Sequence, residues 1–83
     1  MVLLKLEKAI IEFLIKKGRW GSNYFPLQTL VRWFSYKVEK DGKEVLRAIK
    51  KLVKKEILLI HKGGKTISLN PHKFKEIAKI IEG

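Results

Sequence analysis

Along the N-terminal stretch VLLKLEKAIIEFLIKK, apolar residues return at the spacing of a helix. Leu3, Leu6, Ile10, Phe13 and Leu14 fall on one face at about 100° per residue, so the pattern predicts a helix over residues 2–17 with Gly18 as its stop. Leu4, Ile11 and Ile15 widen the apolar arc and leave Lys5, Lys8, Glu12 and Lys16 as a polar strip. A helix this apolar is covered on two sides. One cover is the domain's own core; the other is either the last helix or a second subunit.

The segment GRWGSNYFP reads as a loop from its glycines, serine, asparagine and proline, with room for one short strand near Tyr24–Phe25. Pro26 is placed to open a second helix running to about Phe34, with Leu27, Leu30, Val31 and Phe34 inward. SYKVEKDG then forms a turn. Asp41, followed three residues later by Glu44, resembles a capping box at the start of a third helix. After Glu56 the period changes from helix to strand. ILLIHK and KTISL flank Gly63–Gly64, a two-residue hairpin signal. Pairing across that turn sets Ile60 opposite Ile67 and Leu58 opposite Leu69 on one apolar face, while Leu59, Ser68, His61 and Thr66 point the other way. Asn70 caps a final helix with Pro71 at its first position, and Phe74, Ile77, Ala78 and Ile81 form its inward stripe.

The third helix, KEVLRAIKKLVKKE, separates into two sides. Val45, Ile49 and Leu52 centre the apolar side, flanked by Leu46, Ala48 and Val53. Opposite them Lys43, Arg47, Lys50 and Lys54 crowd into an arc of roughly 60°, and Lys51 widens it. No acid sits among the four. A surface chosen for stability places glutamate four residues before lysine, gaining a few tenths of a kcal/mol per pair. Here like charges repel, which is tolerable where phosphates neutralise them.

Val45-x-x-x-Ile49-x-x-Leu52, followed by KKEILLI and a hairpin around Gly63–Gly64, resembles the recognition helix and wing of winged helix-turn-helix domains, nearest to those of small archaeal DNA-binding proteins and transcription regulators. The resemblance covers residues 2–69 as an order of elements and is sharpest over 45–69. It implies that the third helix enters the DNA major groove, that the second crosses above it, and that the wing reaches backbone or minor groove. Lys43, Arg47, Lys50 and Lys54 would be groove-facing, with Lys62 and Lys65 at the wing. Two features depart from the family pattern. Glu56 stands where a glycine commonly separates recognition helix from wing, and the turn from Tyr36 to Gly42 is longer than the usual tight one.

Composition points the same way. Nineteen Lys and Arg against eight Asp and Glu give 83 residues a net charge of +11, a single-sign field that attracts polyanions at some cost in stability. A thermophile's lysine-rich surface is the competing account, but it comes with matching glutamate, which is missing here. With one arginine on the third helix's outer face and otherwise lysine, the residue types favour phosphate contact over base reading. Without cysteine there are neither disulfides nor thiolate metal sites, and only His61 and His72 remain as transition-metal ligands.

Trp20, Trp33 and Tyr36, interleaved with Arg19 and Arg32, offer either a stacking platform for unpaired bases, a subunit contact, or simple closure of the junction between the first two helices. His61 and His72 read as surface residues. No Ser–His–Asp or Cys–His set, paired carboxylates or phosphate-cradling glycine motif is present, so neither catalysis nor a cofactor is expected. No apolar run approaches the ~20 residues of a membrane span, and no cleavage-like site follows a short apolar core, so the chain is expected to be cytoplasmic.

The expectation is therefore one α+β domain over residues 1–83: a winged helix-turn-helix with a three-helix core, a two-stranded β-hairpin wing and an extra C-terminal helix. It would bind double-stranded DNA through Lys43, Arg47, Lys50, Lys51, Lys54, Lys62 and Lys65, as a homodimer joined through helix 2–17 with helix 71–82 contributing. The rivals are a protein-interaction module that meets an acidic partner, and a binder of RNA or single strands.

Overall fold

The computed structural model describes residues 2–37 and 42–82. Four helices and three short strands follow in the order α1 (Val2–Lys16), β1 (Phe25–Pro26), α2 (Leu27–Lys37), α3 (Gly42–Lys54), β2 (Leu58–His61), β3 (Thr66–Leu69) and α4 (Phe74–Glu82). The class is α+β, with the strands in one antiparallel sheet ordered β1-β3-β2.

On α1, Leu6, Ile10, Ile11 and Leu14 are all buried. α3, α4 and β3 all pack against this helix, so its wide apolar arc is covered within the chain. The surplus apolar surface that motivated a dimer is thus largely used internally. One carboxylate goes inside with it. Glu7 is only 2% exposed, and its Oε1 lies 3.7 Å from Lys55 Nζ at the end of α3. The sequence pattern gave no sign of this burial. α1 stops at Gly18, whose φ of 66° is in the left-handed region. The Arg19 N–H donates to the Leu14 carbonyl and the Gly18 N–H to the Ile15 carbonyl, both at 3.0 Å, the paired bonds of a Schellman stop.

α2 differs from expectation at both ends. Pro26 lies in β1, where it pairs with Thr66, and the helix begins one residue later. An edge strand tolerates a residue with no N–H. At the other end Ser35, Tyr36 and Lys37 are helical rather than part of a turn. None of the three is a strong breaker, so the helix gains almost another turn. The capping role expected of Asp41 falls outside the described residues.

The hairpin register is the one the alternation predicts, with Leu58 opposite Leu69 and Ile60 opposite Ile67. The turn is longer than two residues, because the strands end at His61 and Thr66 and the Lys65 N–H donates to the His61 carbonyl at 3.1 Å. Lys62, Gly63 and Gly64 all have positive φ, so the backbone coils at this point instead of pairing Lys62 with Lys65. Ile60 does not join the core; it is 46% exposed, beside Gly64, which has no side chain to cover it. Ile67, Ser68 and Leu69 are buried because loop 19–21 lies along β3. The Leu69 N–H donates to the Arg19 carbonyl (2.8 Å), the Gly21 N–H to the Leu69 carbonyl (2.9 Å) and the Ser68 hydroxyl to the Gly21 carbonyl (2.7 Å).

Asn70 caps the last helical segment as expected, accepting from the His72 N–H at 3.0 Å. A 3₁₀ turn, Pro71–Lys73, precedes α4 and winds tighter than an α-helix. Phe74 sits at the edge of the apolar stripe, 62% exposed, while Ile77 is buried and Ile80 and Ile81 pack partly against the core.

Candidate nucleic-acid interface

The sharpest division between apolar and polar sides in the sequence becomes the sharpest division in the fold. Val45, Ala48, Ile49 and Leu52 are buried, locking α3 against α1, α2 and β2. Those four fix the rotation of the helix about its axis, which turns Lys43, Arg47, Lys50, Lys51 and Lys54 outward; all five are exposed. Leu46, on the flank of this row and 37% exposed, is its one large apolar neighbour. Among the described residues no carboxylate pairs with Arg47, Lys50, Lys51 or Lys54. The two ion pairs lie elsewhere, Lys55 with the buried Glu7 and Lys73 with Glu56. Those two acids are thus engaged near the C-terminal end of α3, away from its outer row, while Glu44, exposed in its first turn, stands at the edge of the row beside Lys51.

Lys62 and Lys65 are exposed on either side of Gly63–Gly64, at the tip of the β2–β3 hairpin. The geometry between α3 and this hairpin depends on Glu56, which adopts φ 64°. The Glu56 N–H donates to the Val53 carbonyl (3.0 Å) and the Ile57 N–H to the Leu52 carbonyl (2.9 Å), the same Schellman stop as at Gly18. A glutamate thus takes the conformation that glycine adopts more readily. Asn70 braces it: its Nδ2 donates to the Glu56 carbonyl at 2.9 Å and its backbone N–H to the Ile57 carbonyl at 2.9 Å.

The aromatic residues do not form one platform. Trp20 bridges to Leu69 and packs on Phe74, ring centroids 5.8 Å apart. Trp33, 39% exposed, leans on Phe13 and Phe34, each at 4.9 Å. Tyr36 is exposed. An aromatic contact that the sequence did not signal stands beside the hairpin: Tyr24 stacks on His61 with centroids 4.0 Å apart. Tyr24 immediately precedes β1 and His61 ends β2, and the pairing of both strands with β3 brings residue 24 to residue 61. Near this contact Arg19 donates through Nη1 to the Tyr24 carbonyl at 3.2 Å, and its guanidinium lies over the Phe25 ring. His61 Nε2 and its cross-strand neighbour Thr66 Oγ1 are buried without a hydrogen-bond partner among the described residues.

Among the described residues no helix is long and apolar enough to cross a membrane, and no group of three or more His, Cys, Asp or Glu is arranged to hold a metal ion. Comparison with protein-family models, with curated proteins and with solved structures returned no match.

Proposed function

We propose that this chain is a winged helix-turn-helix protein that binds double-stranded DNA, α3 lying in the major groove and the β2–β3 turn reaching backbone or minor groove. The observation that carries the reading is the row of Arg47, Lys50 and Lys54 on α3, exposed and aligned, with no carboxylate paired to any of the three among the described residues; Lys43 and Lys51 are exposed beside it. The element order α1-β1-α2-α3-β2-β3 and the sheet order β1-β3-β2 support the winged form. So does the left-handed residue between α3 and β2, because the glycine commonly found there serves this conformation and Glu56 adopts it.

The residue types favour affinity over sequence discrimination. Lysine meets phosphate as a point charge, and Arg47 is the one side chain in the row with the planar fork that reads guanine. If Lys43, Arg47, Lys50 and Lys54 each neutralise one phosphate, log K falls with log salt at a slope of about −4, roughly 0.9 per phosphate. The experiment is a mobility-shift series on two unrelated duplexes with salt varied. Similar affinities and a steep common slope are expected. Binding that barely weakens from low to physiological salt would reject the reading.

The interaction-module reading makes the opposite mutational forecast. It puts the apolar anchor in the Trp20/Trp33 region, so Trp33→Ala would weaken binding more than Lys50→Glu, whereas single-strand binding by stacking would show as quenching of tryptophan fluorescence by oligonucleotides. On the DNA reading Lys50→Glu is the worse variant.

A further inference from the structure

A groove of about 760 Å³ opens between the last turns of α1, the middle of α2 and the end of α4. Its floor is aromatic and aliphatic: Phe13, Trp33 and Phe34 in mutual ring contact, with Ile81 opposite. Its rim is charged. Lys16 and Lys17 stand at one end, the Lys17 ammonium 5.6 Å from the centre of the Phe13 ring, and Glu12 stands one turn earlier on the same helix. The groove shares no residue with the basic row of α3 or with the β2–β3 turn.

We infer that this groove docks an amphipathic helix of a partner protein, its apolar face on Phe13, Trp33 and Ile81 and its acidic residues against Lys16 and Lys17. Three observations select that occupant. The groove is partly open to solvent, so a small molecule would be incompletely enclosed, whereas a helix needs to bury only one face. Lys16 and Lys17 outnumber Glu12 on the rim and leave one end of a mainly apolar trough net positive, which is complementary to carboxylates beside an apolar stripe. A second copy of this chain fits poorly, since each molecule carries +11 and two copies repel. The inference stands independently of the DNA reading.

The test uses the full chain with Trp20→Phe, leaving Trp33 as the single indole reporter. The probe is a synthetic peptide of about four helical turns with Leu and Phe at i, i+3, i+4 and i+7 and glutamates on the other face; its control carries lysine in place of each glutamate. The acidic peptide should give a saturable blue shift of Trp33 emission and the lysine peptide none. Lys16→Glu with Lys17→Glu should weaken the acidic peptide about tenfold. Lys50→Glu with Lys54→Glu changes the net charge equally but lies on α3, and should leave the peptide affinity within about twofold.

Equal weakening by both double variants would reduce the effect to general attraction to a basic protein and overturn the inference. Binding of both peptides alike, or no shift of Trp33, would also overturn it. So would light scattering that shows a dimer whose formation alone shifts Trp33, because a second copy would then be the occupant.

Discussion

Helices α1 and α3 are similar in length and end in the same hydrogen-bonded stop, yet they are put to opposite uses. α1 is enclosed on several sides by α3, α4 and the sheet, and even one of its carboxylates, Glu7, is buried. α3 is enclosed on one side only and leaves a row of cations facing out. Burial on α1 is organised for cohesion. The outer row of α3 is the reverse, since like charges three and four residues apart are mildly destabilising. The proposed function supplies a reason for that arrangement, because a polyanion would neutralise the row while two acids are engaged near the helix end with Lys55 and Lys73. The contrast can be broken by moving charge onto α3 or by removing the braces that hold the two helix ends.

The largest effect is expected from Arg47→Glu with Lys50→Glu. On the proposed function two phosphate contacts would become two repulsions, and duplex affinity should fall by about a hundredfold or more. The same variant should melt no lower than the parent, because the reversal relieves like-charge repulsion within the row. A mobility shift and a thermal melt on one preparation separate the two effects. A variant that lost affinity only because it unfolded would show in the melt.

Next is Asn70→Ala. This side chain holds two places at once, capping the turn before α4 through the His72 N–H and binding the Glu56 carbonyl at the junction of α3 and β2. Losing a cap costs about 1 kcal/mol, and leaving a part-buried carbonyl unpaired adds a similar amount, so about 2 kcal/mol should be lost in denaturant unfolding. If the loss is only a few tenths, the bond to Glu56 contributes nothing and the junction is held by packing alone.

What the sequence made legible follows from how local each feature is. The outer row of α3 was readable because a helix fixes which residues share a face, whatever the rest of the chain does. The hairpin register was readable because alternation and two glycines constrain it from both sides. The errors sit where a distant element decides. Ile60 has the right parity for the core yet stays 46% exposed, and Phe74, at the first position of α4, meets the Trp20 ring instead of the core. Glu7 is buried because Lys55 comes to it from α3, and Tyr24 meets His61 because β1 adds to the hairpin. The groove beside Trp33 is likewise made by three helices that no periodicity relates.

The smallest expected effects come as a pair of opposite sign, at the two matching stops. Gly18 has φ 66° and nothing within 4 Å of where a Cβ would stand, so Gly18→Ala isolates the backbone cost. A left-handed L-residue costs roughly 1–2 kcal/mol, partly offset because alanine has less freedom to lose on folding, which leaves a net loss of about 1 kcal/mol. Glu56 already bears that cost at φ 64°. Its side chain returns little, since the pair with Lys73 is 4.0 Å long and largely exposed. Glu56→Gly should therefore gain about 0.5–1 kcal/mol, seen as a higher denaturant midpoint at an unchanged slope. Duplex affinity should stay put, because glycine keeps the same turn and α3 keeps its direction. A Glu56→Gly protein that is no more stable would mean the glutamate is held by contacts beyond its own stop. One that is more stable but binds duplex more weakly would mean that the carboxylate, not just the turn, sets how α3 and the hairpin are presented.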